Sequence, residues 1–470
     1  MSSDQDLVVP AEGAATLVVL PSLSFSVAEL VKIKGIVHYE ERLLCSALFL
    51  RRPGLRIVYL TSMPVDPDIV DYYLGFLADP ADARRRLHLV AVGEAGPRPL
   101  TDKLLDAPGA LGRVRELLSD GAPAVLAPFN VTPAEWALAE ALGVPVDGPR
   151  AELVVLGSKT GSRRVARRAG VDVFEGDEGL FSLEEVADAV EELRARRPRA
   201  GRAVVKLNNG FSGQGNAMVD IDGPVGEISA SPATFCAAGE SWPSFASKIA
   251  AEGAIVEELA DEAIASPSVQ LRITPGGAVE VVSTHDQVLG GPGGQVYLGC
   301  RFPASPGYRP AICDAARRVG AVLAAQGMVG PFGIDFLVVP GRNGVQVRLS
   351  EINLRMGGTT HPFRTARLVT GGAYDAVTGE LMADGRATCY VATDNLTSPG
   401  LTGMSPTAAI EVLERAGLAY DRTAGRGTVL HLLGALPFVN KVGATCMAGT
   451  TEEADALFTE VAAVLMGGPG

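Results

Sequence analysis

Within the first 150 residues, short apolar runs alternate with helix-like segments, and this rhythm constrains the fold more than any other feature of the sequence. TLVVLPSL, LRIVYLTS, RLHLVAVG and PAVLAPF each read as a buried strand, with helical patterns such as 110–119 and 133–142 after them. Buried strands separated by helices predict a parallel, doubly wound α/β sheet over residues 1–158.

Helical patterns follow at 159–169 and 183–197, the second running into RARRPRAGR, which reads as a solvated helix end and linker. The texture then changes. AVVKL, NAMVDI, GAIVEEL, SVQLRIT, AVEVVSTHD and QVYLGCRF read as strands joined by Gly-rich turns. A long helix over 309–327 precedes two more strands, GIDFLVV and VQVRLSEI. From 401 onward two helices flank a strand pair around GTVLHLL and VNKVGATCMAG. The expected order is an α/β domain, a larger antiparallel α+β core split into lobes at 159–265 and 266–400, and a small α+β cap at 401–470. A chain of 470 residues has room for about three such units.

Charge and composition exclude several function classes. The net charge of −13 argues against nucleic-acid phosphates as a partner. The most apolar long stretch, 319–339, holds Gln326, Pro331, Asp335 and four glycines, so no membrane span is expected. Six cysteines occur without a C-x-x-C pair, which supports neither a disulfide framework nor a zinc ribbon. The acidic, polar start MSSDQDLVVP is unlike a secretory signal, so a cytoplasmic chain is expected. Of the 41 basic residues only seven are lysines. Codon bias explains the imbalance, yet it makes each lysine worth locating.

Two Gly-rich segments invite phosphate-binding labels that fail on context. LGSKTG lacks the glycine that a P-loop places before its lysine, since Ser158 precedes Lys159. In NNGFSGQGNAM, a strand rather than a dinucleotide-binding helix follows the glycines. A hairpin with Ser212, Gly213 and Gly215 at its tip is expected instead, with Lys206 in the strand before it. Such a loop can wrap a polyphosphate with backbone N–H groups, or it can be an ordinary surface hairpin. A second signal favours the ligand. Asp335 lies in GIDFLVV, and Glu351 and Asn353 alternate onto one face of VRLSEIN. Acidic groups on an apolar strand face need a partner. Their hard oxygens suit Mg²⁺, while Arg348 or Arg355 is the alternative partner.

The ordered set resembles the ATP-grasp superfamily of carboxylate–amine ligases over residues 159–365. It runs from Lys159 through Gly170-Val171, AVVKL with its loop, IVEEL, the strand to Asp335, and EINLR into MGGTTHP. The resemblance implies that Lys159 and Lys206 contact the phosphates of ATP. IVEEL would supply the adenine hinge through Glu257, Glu258 and Leu259, with Glu262 the nearest candidate for the ribose. Asp335, Glu351 and Asn353 would be magnesium ligands, and Arg355 would face the transferred phosphate. The position two residues before Asp335, often arginine in dipeptide-type ligases, is Gly333. Arg272 or Arg301 would then have to steady the tetrahedral oxyanion. His361 sits where Thr359 or Thr360 and Pro362 open a helix, so it either orients substrate or bonds within its cap.

Over nearly its full length the chain is similar to the pheganomycin-type peptide ligases. That similarity implies an amide bond between an unusual amino acid bearing a guanidino group and a peptide amine, by way of an acylphosphate. Small-molecule carboxylate and amine substrates are therefore expected as partners. Homodimers are common among such ligases, and the sequence leaves the assembly open. Two rival readings stand against this one. A biotin-dependent carboxylase usually carries Gln-Val-Glu-His after N-x-R, where this chain has Met356-Gly-Gly-Thr-Thr. A regulatory ATP-binding module would not need intact metal ligands and both lysines.

Overall fold

The computed structural model describes residues 9–10, 13–210, 215–222, 228–230, 232–237, 239–291, 294–341 and 344–467. Strands β1 (Ala15–Leu20), β2 (Leu55–Thr61), β3 (Leu87–Ala91) and β4 (Ala124–Pro128) pair in parallel in the order β3-β2-β1-β4. Every residue of β1 is buried, because both sheet faces are covered. Val18 and Leu20 pack with the helices around Leu104, Val114 and Leu138. Leu17 and Val19 face the other way, into a core that also holds Leu43, Phe49, Val429, Leu436 and Leu457. That shared core draws the two ends of the chain together. Hydrogen bonds from Tyr73 Oη to Leu430 O (3.1 Å) and from Leu430 N to Tyr72 Oη (3.0 Å) reinforce it.

The second sheet is a five-stranded antiparallel lobe. It is built from β5 (Gly176–Leu180), β6 (Arg202–Leu207), β7 (Asn216–Asp220), β8 (Ala233–Phe235) and β9 (Ala254–Glu258), in the order β5-β9-β6-β7-β8. The helices Leu183–Arg196 and Trp242–Glu252 bury Val190, Leu193, Phe245 and Ile249 against Val205 and Val256. Ser182 caps the first of them by accepting from Glu185 N at 3.1 Å.

The third sheet has ten strands. β10 (Pro267–Ile273), β11 (Val279–Gly290), β12 (Val296–Phe302), β13 (Gly330–Gly341) and β14 (Gly344–Asn353) form one half. β15 (Ala373–Asp375), β16 (Glu380–Ala383), β17 (Arg386–Thr397), β18 (Gly427–His431) and β19 (Lys441–Ala448) form the other. The path runs β14-β13-β10-β11-β12-β17-β16-β15, with β19 paired to β17 and β18. The helix Arg309–Ala325 packs Ile312, Ala316 and Val319 on one face with Val269, Leu271 and Phe332.

Two features lie outside the expectation. The strand pair of the 401–470 segment is joined to the large sheet, since β19 pairs with β17, a connection the sequence does not specify. Residues Ile36–Arg51 form a sixteen-residue 3₁₀ segment, buried from Glu40 to Leu50, where no element is predicted. Its sequence carries no clean helical or strand period, and packing against β2 and the C-terminal core decides its path.

Candidate active site

The three sheets meet around a cavity of about 890 Å³, at the upper end of the range that holds small ligands. At one end, the helix Lys159–Arg168 starts directly beneath the five-stranded lobe. Ser158 caps it by accepting from Gly161 N (3.0 Å), and Asn208 Oδ1 accepts from Thr160 N (2.9 Å). Ser162 Oγ accepts from Ile352 N (2.9 Å), which ties the same helix to β14. These bonds carry Lys159 to Glu351, with Nζ 2.5 Å from Oε1.

Lys206 lies on β6, and its Nζ bonds Glu257 Oε2 at 2.7 Å. Arg163 bonds the other oxygen of the same carboxylate. Burial alone would raise the Glu257 carboxyl, but Lys206 and Arg163 outweigh it and hold it below its ordinary value. Glu257 is 1% exposed and does not line the cavity, so it holds a lysine rather than an open hinge.

The oxygen-rich wall comes from β13 and β14. Antiparallel register places Asp335 opposite Glu351 and Gly333 opposite Asn353, with a bulge just after Asp335. Asp335 accepts from Gln287 Nε2 (3.0 Å) and Asn353 Nδ2 (3.1 Å). Burial, and then repulsion from Glu351, push the Asp335 carboxyl up to about 6. Among the described residues no three His, Cys, Asp or Glu side chains cluster as a metal site. The donor set here is two carboxylates and one amide, all hard oxygens, which suits Mg²⁺ completed by phosphate and water. Arg355 projects beside this wall. Its Nη1 donates to Met356 O (3.1 Å), Phe25 lies 6.0 Å from its guanidinium, and no described carboxylate is ion-paired to it. Burial works against its charge and leaves its pKa below the ordinary value, despite support from Glu351 and Asp335.

Lys159, Lys206, Asp335, Glu351, Asn353 and Arg355 thus share one cavity. Other expected residues lie elsewhere. Arg272 is buried in an ion pair with Asp147 (2.5 Å) and does not line the cavity. Arg301 is half-exposed and pairs with Asp455 of the last helix at 2.9 Å. Both guanidiniums are engaged by carboxylates, Arg272 by Asp147 and Arg301 by Asp455. His361 is 2% exposed and bonds Asp394 Oδ1 through Nε2 (3.0 Å), touching the cavity only by way of that aspartate. Glu258 pairs with Arg197 (2.7 Å), Leu259 N donates to Arg202 O (3.1 Å), and Glu262 is exposed beyond β9. Ser212 and Gly213 lie outside the described residues. Gly215 packs against Gly210, where a Cβ would come within 2.8 Å of the Gly210 Cα.

The cavity wall also holds residues that sequence reasoning missed. Tyr39 and Arg42 reach it from the 3₁₀ segment, Asp394 from β17, and Lys441 from the start of β19. Lysine scarcity was the available signal, because Lys32, Lys34, Lys159, Lys206 and Lys441 all line this one cavity.

Comparison with known proteins places this architecture. A family model described as "IQCH-like, ATP-grasp" matches residues 228–376, and one for the "PGM1 C-terminal domain" matches 408–461. The chain is 36% identical over 466 residues to the L-propargylglycine–L-glutamate ligase of Streptantibioticus cattleyicolor, covering 97% of this chain and 95% of that protein. It is 22% identical to the IQ motif-containing protein H of Danio rerio, across 89% of this chain and 45% of that longer protein. Among solved structures, biotin carboxylase of Campylobacter jejuni superposes with a TM-score of 0.58 at 14% identity, covering 96% of this chain and 91% of that one. The N5-carboxyaminoimidazole ribonucleotide synthetase solved with ADP gives 0.56 at 13% identity, covering 97% and 98%. The carboxylase likeness is one of fold alone, and Met356-Gly357-Gly358 still stands where a carboxylase continues differently. With its ordered lysines, oxygen wall and near-full-length relative, the chain belongs to the ATP-grasp superfamily, in the same ligase family as that propargylglycine–glutamate ligase.

Proposed function

We propose that this ATP-grasp ligase activates a substrate carboxylate with ATP and couples it to the amine of an amino acid or peptide. The observation that carries the reading is the direct meeting of Lys159 with Glu351, beside Asp335 and Arg355, in one cavity. Lys159 and Lys206 bind the nucleotide phosphates, and each is stored on a carboxylate until ATP arrives. Asp335, Glu351 and Asn353 would hold Mg²⁺, which neutralises phosphate charge when bound. The substrate carboxylate attacks the γ-phosphorus, forming an acylphosphate as the bond to ADP breaks. The amine then attacks the acyl carbon, loses a proton, and expels phosphate as the amide forms. Arg355 offers its guanidinium to the charge that develops on the transferred group and the acyl oxygen. Water must be kept out, since it competes for the acylphosphate.

The relative's name pairs two amino acids. The same substrate class is proposed here, with a guanidino-bearing acid and a peptide amine as the pheganomycin-type alternative. Cytoplasmic operation accords with six free cysteines. No helix among the described residues is long and apolar enough to cross a membrane. A homodimer belongs to the same proposal and is read by light scattering.

The test mixes the protein, ATP and Mg²⁺ with L-propargylglycine and L-glutamate, and then with a panel of acids and amines including arginine-like acids and short peptides. ADP release and product mass are followed. Release that depends on both an acid and an amine is expected, and Glu351→Ala should lower it at least a hundredfold. Tight ATP binding without pair-dependent ADP release would leave the non-catalytic reading standing.

A further inference from the structure

The cavity wall carries seven cationic side chains, Lys32, Lys34, Arg42, Lys159, Lys206, Arg355 and Lys441, against three anionic ones. In a chain with a net charge of −13, that excess is local and needs a cause. At the nucleotide end the lysines already face carboxylates, Lys159 on Glu351 and Lys206 on Glu257. Around Tyr39 the arrangement is different. Lys441 Nζ bonds the Tyr39 hydroxyl and sits 5.0 Å from the centroid of the same ring. The Arg42 guanidinium carbon lies 4.9 Å from that centroid and 5.0 Å from that of Phe129. Two cations therefore share one tyrosine, and no described carboxylate is ion-paired to Lys441.

The single acid here does not answer the charge. Asp394 accepts from His361 (3.0 Å) and faces Arg42 Nη1 at 3.6 Å. Burial opposes its charge, but His361 and Arg42 prevail and hold its carboxyl well below the usual range. Its Oδ1 also lies 2.9 Å from where a Cβ on Gly443 would be, so β19 carries glycine there to let the carboxylate in. Asp394 thus orients Arg42 and leaves Lys441 free. Backbone geometry also fixes Lys441. Asn440, at φ +53°, turns the chain sharply from the short helix Leu436–Val439 into β19. A half-buried ammonium held on a phenol and a second cation on the same ring lack only an anion.

We propose that Lys441, with Arg42 and Tyr39, forms a subsite for a free carboxylate on the amine substrate, so that the amine enters as an amino acid whose α-carboxylate takes no part in the reaction. This rests on the ligase reading above. The reacting carboxylate is drawn to the oxygen wall by Lys159 and Arg355 and loses its charge in the amide, so a carboxylate held by Lys441 is one that takes no part, and an amino-acid amine carries such a group. The free carboxylate is a fixed handle that survives amide formation. Lys441 gives the strongest single contact, because a charge-assisted hydrogen bond from a half-buried group discriminates more than a neutral one.

The test measures binding by calorimetry to the protein loaded with a non-hydrolysable ATP analogue and Mg²⁺. The probes are L-propargylglycine, L-glutamate and the α-carboxamide of each. For the probe that acts as amine, wild type should prefer the free acid to its carboxamide at least tenfold. Lys441→Met should remove that preference by weakening the acid tenfold or more, while the carboxamide and the ATP analogue bind as before. Lys441→Arg should recover part of the loss, and Tyr39→Phe should weaken the acid a few-fold. Preference for the acid that persists undiminished in Lys441→Met overturns the proposal, as does a loss shared equally by acid and carboxamide. Binding is read without turnover, so a failure of ADP release would count against the ligase reading and leave this result to stand on its own.

Discussion

Glu257 lies behind the cavity wall and neutralises two cations at once, Lys206 and Arg163. Removing it strands the Lys206 ammonium and leaves Arg163 with Glu178 and two backbone carbonyls, and an unpaired buried charge costs more than the pair ever contributed. Glu257→Ala should therefore destabilise the protein by about 3–5 kcal/mol in urea unfolding. Glu258→Gln loosens only a rim pair with the half-exposed Arg197 and should cost about 1 kcal/mol or less. Equal losses would contradict the assignment of Glu257 as the lysine's buried anchor. That Lys159, Lys206, Asp335, Glu351 and Asn353 share one cavity was legible because they stand at telling places within their own strands and helix. The state of each charge was not legible. An arginine looks the same in sequence whether it lacks a carboxylate partner, like Arg355, or is already held by one, like Arg272 by Asp147 and Arg301 by Asp455. Those partners come from other segments, as do the residues that meet at Lys441.

At the scale of elements, the helix Lys159–Arg168 shows how a close approach sets the site. A Cβ on Gly161 would lie 2.2 Å from Val155 O and 2.8 Å from Leu156 Cα, both backbone atoms that cannot swing aside. On helix propensity alone Gly→Ala gains about 1 kcal/mol. Gly161→Ala should instead lower the melting temperature by several degrees and weaken ATP binding, because the first turn that presents Lys159 must shift. A stabilised Gly161→Ala variant would show that this turn is not packed as described. The strands of the first sheet were legible as continuous apolar runs, since burial on both faces erases alternation. The helices at Pro133–Leu142 and Leu183–Arg196 announced themselves by period and cap. The joining of β18 and β19 to β17 was not legible, because pairing partners are a property of the sheet and not of either strand. The Ile36–Arg51 segment escaped for a related reason, as its path is set by what it packs on.

The two ends of the chain close over a set of buried titratable groups, and these make whole-molecule stability depend on pH. His285 bonds Tyr390 Oη (2.6 Å), and burial pushes its ring down to about 3. His431 lies between Tyr73 Oη (3.0 Å) and Thr445 Oγ1 (2.7 Å). Burial, and then His361, take it to about 3 as well. Glu40 accepts from Ser62 N and Oγ, both at 2.6 Å, yet burial raises its carboxyl to about 7. The signs oppose one another. Each histidine stays neutral in the fold but takes a proton near pH 6.5 when unfolded, so its contribution is lost as pH falls from 6.5 toward 3. Glu40 holds a proton in the fold at a pH where the unfolded chain has released it, so its contribution grows as pH falls from 7 toward 4.5. By pH 4.5 the two histidines together remove about 5 kcal/mol and Glu40 returns about 3 kcal/mol. Glu40→Gln deletes the compensating half. Urea unfolding between pH 7 and 4.5 should therefore show a steeper loss of stability in Glu40→Gln than in wild type, whatever their relative stability at pH 7. A shallower slope in that variant would mean that Glu40 is charged in the fold, paired with Lys103 across Ser62, and that the N-terminal core is held by an ion pair instead of a proton.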